Sequence, residues 1–239
     1  MKRIICENYE DLSRAAADII AEQIAGKPDS VLGLATGSTP LGLYAELVRL
    51  YNAGMIDFSK ARSFNLDEYY PIKKDHPQSY NYFMYENLFS KVNFASTRLL
   101  SGETDDPIGE CARYDAEIMA AGGIDLQLLG IGLNGHIGFN EPAASYSMPT
   151  FHVELTKSTL EANSRFFSSG EIQPTSALTM GFGSIFSARS ILLLISGESK
   201  SSVAKCLFDD KIHTDVPASL LQLHPDVTVI LDRAGASKL

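Results

Sequence analysis

The chain has 239 residues, of which 20 are Lys or Arg and 29 are Asp or Glu, so its formal net charge is −9. Hydrophobic residues make up 45% and charged residues 21%, which is ordinary for a globular protein. The acidic balance argues against broad nucleic-acid binding, which requires a basic face. We therefore expect no nucleic-acid partner, although a local basic pocket for one small phosphate is compatible with this charge.

The cysteines and the apolar runs indicate the compartment. Cys6, Cys111 and Cys206 are widely separated and form neither a CxxC pair nor a zinc spacing, as in a cytoplasmic protein with reduced thiols. The longest aliphatic run, Ile191–Ile195, is far shorter than the ~20 residues that span a bilayer. Acidic residues follow the N-terminal basic pair and exclude a signal peptide. We expect a cytoplasmic protein without a membrane partner.

Short apolar runs alternate with amphipathic stretches along the chain. The predicted strands are Arg3–Cys6, Val31–Ala35, Arg62–Leu66, Leu126–Ile131, Phe151–Leu155, Ile191–Ile195 and Val227–Leu231. The predicted helices are Glu10–Ile24, Leu41–Ala53, Ser79–Phe89, Pro107–Ala121, Thr159–Phe167, Lys200–Phe208 and Pro217–Leu223. This alternation predicts an α/β fold with a mostly parallel sheet. Without a linker or repeat, residues 1–239 are expected to form one domain, with ligands beyond the carboxyl ends of the strands.

The first informative loop is Thr36-Gly37-Ser38-Thr39-Pro40, between a predicted strand and a predicted helix. Pro40 suits the first helical turn, where no N–H group is needed. Thr36, Ser38 and Thr39 offer hydroxyls, and Gly37 lets the backbone approach a ligand closely. Because unpaired N–H groups at a helix start attract anions, the loop predicts a phosphate cradle. The alternative is an ordinary Ser/Thr helix cap.

Two adjacent carboxylates, Asp67 and Glu68, end the third predicted strand. On an extended chain they point to opposite faces. One can then enter a cleft and act as a general base if burial or neighbouring groups tune its pKa, while the other meets solvent or a cation. The alternative is a solvated strand end with turn-forming acids.

The loop from residue 130 to residue 142 begins with G-x-G-x-x-G after a strand. A dinucleotide site would require a helix to open at the third glycine, and later glycine and proline residues argue against one. The loop instead presents Asn134, His136 and Glu141 together. A histidine beside a carboxylate and an amide predicts an oriented acid–base group, whereas the alternative is a structural histidine. No second His or Cys lies at metal-ligand spacing from His136, so we expect no metal site in this loop.

The fourth loop ends at Lys200, in the first turn of a predicted helix. A lysine there is unfavourable for the helix dipole, so an anionic ligand is expected to supply compensating charge. Arg165 is a second candidate cation. The alternative for each is a surface charge. A phosphate pocket, a carboxylate and an oriented histidine together predict proton-transfer chemistry on a phosphorylated metabolite, by an isomerase or a hydrolase.

Six motifs resemble the glucosamine-6-phosphate deaminase family. They are LGLATGSTPLGLY (Leu32–Tyr44), FNLDEYYP (Phe64–Pro71), GIGLNGHIGFNEP (Gly130–Pro142), NSRFF (Asn163–Phe167), ALTMGFGSI (Ala177–Ile185) and LQLHP (Leu221–Pro225). The resemblance covers nearly the whole chain. It implies a modified Rossmann-like three-layer α/β/α fold and conversion of D-glucosamine 6-phosphate and water to D-fructose 6-phosphate and ammonia, with no metal or organic cofactor.

The resemblance also implies a role for each site residue. Asp67 takes the C2 proton and returns it at C1, His136 assists ring opening, and Glu141 orients His136. The phosphate is held by Thr36, Gly37, Ser38, Thr39, Arg165 and Lys200. Better-known members carry an acid where this chain has Asn134. An amide can still accept a hydrogen bond from the imidazole, but it does not stabilise an imidazolium as a carboxylate does.

Two rival functions remain at this point. A 6-phosphogluconolactonase has a related fold and a related glycine–histidine loop, and a non-catalytic sugar-phosphate sensor would lack the chemistry. The sensor interpretation predicts an attached DNA-binding module, for which these 239 residues leave no room. The expected partner is a small phosphosugar, and the expected state is a monomer or small homo-oligomer.

Overall fold

The structure, a computed structural model, describes residues 1–163, 167 and 173–239. The strands are β1 Lys2–Cys6, β2 Val31–Leu34, β3 Arg62–Asn65, β4 Asp67–Tyr70, β5 Ser96–Arg98, β6 Leu126–Leu129, β7 Phe151–Glu154, β8 Ser176–Thr179, β9 Ser190–Ile195 and β10 Val227–Asp232. The α-helices are α1 Tyr9–Gly26, α2 Leu41–Asn52, α3 Tyr80–Met84, α4 Pro107–Ala120, α5 Lys157–Asn163, α6 Phe182–Phe186 and α7 Ser201–Cys206. A π-helical turn, Tyr85–Phe89, continues α3, and Glu198–Lys200 and Pro217–Leu223 are 3₁₀ segments.

Seven strands form one parallel sheet in the order β1-β10-β9-β6-β2-β3-β5. Successive side chains of a strand point to opposite faces, and β9 shows the result. Leu192 and Leu194 pack into the core that includes α1 and α2. Ile191 and Leu193 pack into the core that includes α4 and α7. The α/β/α layering and the mostly parallel sheet are therefore as predicted.

A smaller antiparallel sheet, in the order β4-β8-β7, was not expected. Phe151–Leu155 was predicted as a strand of the main sheet, whereas β7 lies in this second sheet. The sequence analysis missed β4, β5, β8 and α6 altogether. It also predicted one helix over Lys200–Phe208, where the chain forms a 3₁₀ turn followed by the short α7. The end of the predicted helix Thr159–Phe167 falls partly outside the described residues.

The strand order places four loops together. From β2 the chain proceeds outward through β3 to β5, and from β6 it proceeds in the other direction through β9 to β10. β2 and β6 are neighbours, so the sheet has its topological switch point between them, where ligands bind in folds of this kind. The loops after β9, β6, β2 and β3 are the four that the sequence singles out, and they follow adjacent strands.

No helix among the described residues is both long enough and apolar enough to cross a membrane.

Asp125 joins three elements at the opposite, amino-terminal side of β2 and β6. Its side chain, 3% exposed, accepts a hydrogen bond from the backbone N–H of Val31 at 2.8 Å. It also pairs with Lys27 at 3.0 Å and with Arg189 at 3.0 Å. One buried carboxylate thus holds the end of α1 and the starts of β2 and β9 in register.

We predict that Asp125→Ala lowers the free energy of unfolding by about 3 kcal/mol, because hydrogen bonds to a charged group contribute about 1.5–3 kcal/mol each. Asp29→Ala is the matched control, since Asp29 also pairs with Lys27 but its side chain is 68% exposed. That variant should change stability by less than about 0.5 kcal/mol in urea denaturation. Similar losses in both variants would contradict the prediction.

Candidate active site

The TGSTP loop (Thr36–Pro40) is held in place by Tyr9. The Tyr9 hydroxyl lies 3.1 Å and 2.9 Å from the carbonyl oxygens of Ser38 and Thr39, and it accepts the N–H of Gly42 at 2.8 Å. Gly37 has φ +104°, a backbone conformation that favours glycine. Within the described chain, no group accepts a hydrogen bond from the N–H of Ser38 or Thr39. The loop therefore offers two free donors, as a phosphate cradle requires.

Lys200 meets this loop from the neighbouring edge of the sheet. Its Nζ donates to the Thr39 hydroxyl at 3.1 Å. Gly197, with φ +92°, turns the chain after β9, and the carboxylate of Asp232 accepts its N–H at 3.1 Å. Burial lowers the pKa of Lys200, and the charge of Asp232 offsets part of that effect. Lys200 has no carboxylate at ion-pair distance among the residues described, so a partly buried cation faces the loop without a direct counter-charge.

Arg165, the second predicted phosphate cation, lies outside the described residues. Of the predicted phosphate group, the structure therefore brings Thr39 and Lys200 into contact, next to Gly37 and Ser38. Tyr9 and Asp232, which position the two loops, were not predicted. Their contacts join residues far apart in the chain, so no local pattern indicates them.

The two adjacent acids are both buried, which corrects the sequence prediction. Glu68 is 1% exposed and meets neither solvent nor a cation. Its carboxylate accepts the N–H groups of Tyr80 and Asn81, each at 2.8 Å, at the start of α3. It also accepts the N–H of Tyr69 at 2.9 Å. Burial raises the pKa of Glu68 to about 7, and these three N–H groups oppose that rise. Glu68 is thus a structural anchor for α3.

Asp67 has no comparable support. It begins β4 opposite Thr179 of β8, is 6% exposed, and accepts no hydrogen bond from the residues that the structure describes. Burial raises the pKa of Asp67 to about 8, and the neighbouring charge of Glu68 adds to the rise. Burying a carboxyl group without a donor is costly, and such groups concentrate at functional sites. Its environment suits a general base that works near neutral pH.

The histidine loop (residues 130–142) forms tight turns without a helix, as predicted. The N–H of Gly132 donates to the carbonyl of His136 at 2.9 Å. A Cβ on Gly132 would lie 2.3 Å from the His136 ring, so glycine is required for the ring to lie over the turn. The N–H of Phe139 donates to Thr179 at 3.2 Å. Since Thr179 pairs with Asp67, this contact joins the loop to β4.

Glu141 is the centre of the polar network in this loop. Its Oε1 lies 3.3 Å from Nδ1 of His136, at ion-pair distance but without the alignment of a hydrogen bond. The same oxygen accepts the Thr159 hydroxyl at 2.5 Å, and Oε2 accepts the Asn134 amide at 2.6 Å. Burial acts to raise the pKa of Glu141, but these three partners outweigh it and lower the pKa to about 2. Glu141 therefore stays ionised beside the imidazole.

The sequence analysis expected the Asn134 amide to accept a hydrogen bond from the imidazole ring, but the structure shows no such bond. Its Oδ1 accepts the backbone N–H of His136 at 3.2 Å, and its amide holds Glu141. An aspartate here would place a second negative charge against Glu141, whereas the amide donates to it. Thr159 was predicted only as the first residue of a helix. Its contact with Glu141 depends on where α5 packs, which the local sequence does not indicate.

Comparisons with known proteins show the family to which this chain belongs. The sequence profile of the family described as glucosamine-6-phosphate isomerases/6-phosphogluconolactonase matches residues 7–230. A glucosamine-6-phosphate deaminase of Thermoanaerobacter pseudethanolicus is 52% identical over 99% of this chain and 94% of its own length. Another, of Clostridioides difficile, is 53% identical over 100% of this chain and 97% of its own length.

Two solved structures resemble this chain to different degrees. A structure described as a monomeric glucosamine-6-phosphate deaminase is 45% identical, covers 100% of both chains and superposes with a TM-score of 0.96. The 6-phosphogluconolactonase of Trypanosoma cruzi covers 100% of this chain and 96% of its own, with a TM-score of 0.77 at 20% identity. That second similarity shows the shared fold alone.

We predict that Asp67→Asn makes the protein more stable at neutral pH. The pKa of Asp67 is raised in the folded state, so folding is disfavoured once the unfolded chain can ionise this group. The stability advantage of the variant should grow from about pH 4 to about pH 8, by at most about 1.4 kcal/mol per pH unit, and then level off. Urea denaturation of both proteins across this pH range measures it.

Asp57→Asn provides a control of opposite sign. Asn93 and Ser59 donate to the exposed Asp57 and lower its pKa, so its ionised form favours folding. That variant should lose stability relative to the parent as pH rises from acid to neutral. A stability difference for Asp67→Asn that does not change with pH would contradict the prediction.

Proposed function

We propose that this chain, which belongs to the family of glucosamine-6-phosphate isomerases and 6-phosphogluconolactonases, is a glucosamine-6-phosphate deaminase. It converts D-glucosamine 6-phosphate and water to D-fructose 6-phosphate and ammonia by aldose–ketose isomerisation coupled to deamination. The observation that carries this choice is the full-length identity of about 50% to relatives of that name, against 20% for the lactonase structure.

The substrate phosphate binds between the TGSTP loop and Lys200. The free N–H groups of Ser38 and Thr39 and the partly buried ammonium of Lys200 support this placement. A dianionic phosphate supplies the counter-charge that Lys200 lacks, and it approaches the backbone closely at Gly37. Thr36 lies in the same loop, and Arg165 adds a further cation in this proposal. Anchoring C6 fixes the distance of C1 and C2 from the catalytic groups.

His136 and Glu141 open the sugar ring. With Nδ1 beside the ionised Glu141, Nε2 is the nitrogen left to exchange a proton with the ring oxygen. The ionised Glu141 lies 3.3 Å from Nδ1, on the side of the ring away from this exchange. Asn134 and Thr159 hold Glu141 in position, so Asn134 acts on the carboxylate rather than on the ring.

Asp67 is the base that moves the proton from C2 to C1. This proton becomes acidic only after C1 is a free carbonyl, which is why ring opening must precede the step. The cationic amino group of the substrate, on C2, supplies positive charge near Asp67 and favours its ionised form. The buried, unpartnered carboxyl group supports this assignment. Loss of the C2 proton gives an enolamine, and return of the proton to C1 gives an imine at C2. Water adds to C2 of this imine, the C–N bond breaks, and the ketose and ammonia are released.

The proposal extends to the state of the protein. We propose a single domain over residues 1–239 and a cytoplasmic monomer or small homo-oligomer. The solved relative described as monomeric supports the smaller state, and the net charge of −9 argues against a nucleic-acid partner. No metal or organic cofactor enters the proposed chemistry.

We predict different defects in Asp67→Asn and His136→Gln. Loss of a positioned general base costs about 10²–10⁴-fold in rate, so both variants should lose kcat with the cyclic substrate. A substrate analogue that cannot close its ring should restore much of the activity of His136→Gln, because opening is no longer needed. It should restore little in Asp67→Asn. The measurement is a coupled assay for ammonia and fructose 6-phosphate, or the corresponding ketose.

Exchange of the C2 proton with solvent deuterium is the second readout for these variants. It should fall in parallel with ammonia release in Asp67→Asn. The control is Asp57→Asn, an exposed Asp-to-Asn change outside the proposed site, which should retain parental kinetics. Equal rescue of both site variants by the open-chain analogue would mean that the assigned roles are wrong. Absence of ammonia release by the parent protein would overturn the deaminase proposal itself.

We predict that Lys200→Gln raises KM for glucosamine 6-phosphate roughly 10- to 100-fold, the value of one charged hydrogen bond, with a smaller change in kcat. Lys205→Gln is the matched control, because Lys205 lies exposed on α7 one turn further along. It should leave KM unchanged. A loss in kcat alone for Lys200→Gln would assign Lys200 to the chemical step instead of to phosphate binding.

A further inference from the structure

Three metal-ligand side chains gather at the end of α7, on residues that the proposed reaction does not use. Cys206 Sγ, an Asp209 carboxylate oxygen and a His213 ring nitrogen all lie within 4.8 Å of one another. Nε2 of His213 lies 2.8 Å from Oδ2 of Asp209. All three residues are partly exposed, so an ion can reach them from solvent.

We propose that Cys206, Asp209 and His213 bind a divalent cation of the zinc class. A thiolate, an imidazole and a carboxylate together are typical of Zn²⁺, and magnesium or calcium would require oxygen ligands only. Ligands at tetrahedral Zn²⁺ distances of about 2.0–2.3 Å are about 3.3–3.8 Å apart. In the structure the ligand atoms lie within 4.8 Å of one another, and the His213 and Asp209 atoms lie 2.8 Å apart, so binding requires them to move by about 0.5–1.5 Å. With three protein ligands, a fourth position stays open for water or a small ligand.

The backbone of this segment is already held from outside it. The side-chain amide of Gln222 donates to the carbonyl of Cys206 at 3.2 Å and to that of Lys211 at 2.9 Å. Ser219 accepts the N–H of His213 at 2.8 Å and donates to its carbonyl at 3.0 Å. Both ends of the ligating segment are therefore pinned to the 3₁₀ segment Pro217–Leu223. Binding costs little backbone ordering as a result.

On binding, the metal replaces the proton that lies between Nε2 of His213 and Oδ2 of Asp209. The thiol of Cys206 is bound as thiolate, and the released protons pass to the buffer. The 3₁₀ segment that braces these ligands also contacts the histidine loop, since the N–H of Ala218 donates to the carbonyl of Gly135 at 2.8 Å. A bound metal thus stabilises a segment adjoining the proposed active site. The cation contacts no reacting atom and is separate from catalysis.

Cobalt(II) titration of the full-length, reduced protein tests the site, because a cobalt–thiolate bond has its own absorption band. We expect one equivalent of Co²⁺ to produce this band and Zn²⁺ to displace it. Zn²⁺ should also raise Tm, because it binds the folded state preferentially. The band should be absent in Cys206→Ser, and His213→Gln should bind at least 10-fold more weakly. Cys6→Ser, which changes the other partly buried thiol, is the control and should keep the band.

The readouts do not depend on deaminase activity, so failure of this proposal is distinct from failure of the proposed function. Circular dichroism without metal establishes whether each variant is folded. If Cys206→Ser does not fold, the metal affinity of His213→Gln tests the proposed site. The proposal is overturned if the folded parent gives no cobalt–thiolate band. It is equally overturned if His213→Gln binds as tightly as the parent, or if the band depends on Cys6 rather than Cys206.

Discussion

Adjacent parallel strands that lead away in opposite directions leave a crevice between their carboxyl ends, and here that crevice lies between β2 and β6. The TGSTP loop, which follows β2, and the histidine loop, which follows β6, lie on either side of this crevice. The next strand outward on each side, β9 and β3, adds Lys200 and Asp67 at the same edge. Every proposed role depends on this reversal, because it gathers groups separated by more than a hundred residues.

The crevice holds two ionisable groups that have no direct counter-charge among the described residues. In the described part of the chain, Asp67 is buried without a donor, and the partly buried Lys200 has only a hydroxyl as its direct partner. Each arrangement disfavours the charged state, as the directions of both pKa shifts indicate. An aminosugar phosphate carries the complementary charges, an ammonium at C2 and a dianion at C6. The site therefore trades stability of the free protein for affinity and reactivity.

A buried glutamate, Glu68, and a partly buried one, Glu141, have different roles because their surroundings differ. Glu68 has only backbone N–H partners and its pKa is raised, whereas Glu141 faces an imidazole, a hydroxyl and an amide and its pKa is lowered. Glu68 serves to position α3. Glu141 keeps its negative charge beside His136, with Asn134 as a hydrogen-bond donor instead of a second acid.

Local signals in the sequence determined the main strands, the long helices and the glycine-rich loops. Asn8 and Asp106 cap α1 and α4 by accepting nearby N–H groups, and such contacts span only three residues. The apolar runs predicted the central strands of the parallel sheet because both faces are covered, whereas the short, exposed edge strand β5 was missed. The same reasoning located Asp67, His136, Glu141 and Lys200 as candidate site residues.

Only the tertiary structure decided the partners of those residues. β4 and β8 have no strong strand pattern and exist by pairing with each other, so the second sheet was not foreseen. The contacts of Glu68 with α3, and of Glu141 with Thr159, join elements whose packing depends on the whole chain. Residue types and short spacings are properties of a sequence. Burial and long-range contacts, which set the pKa values here, arise only when distant segments pack together.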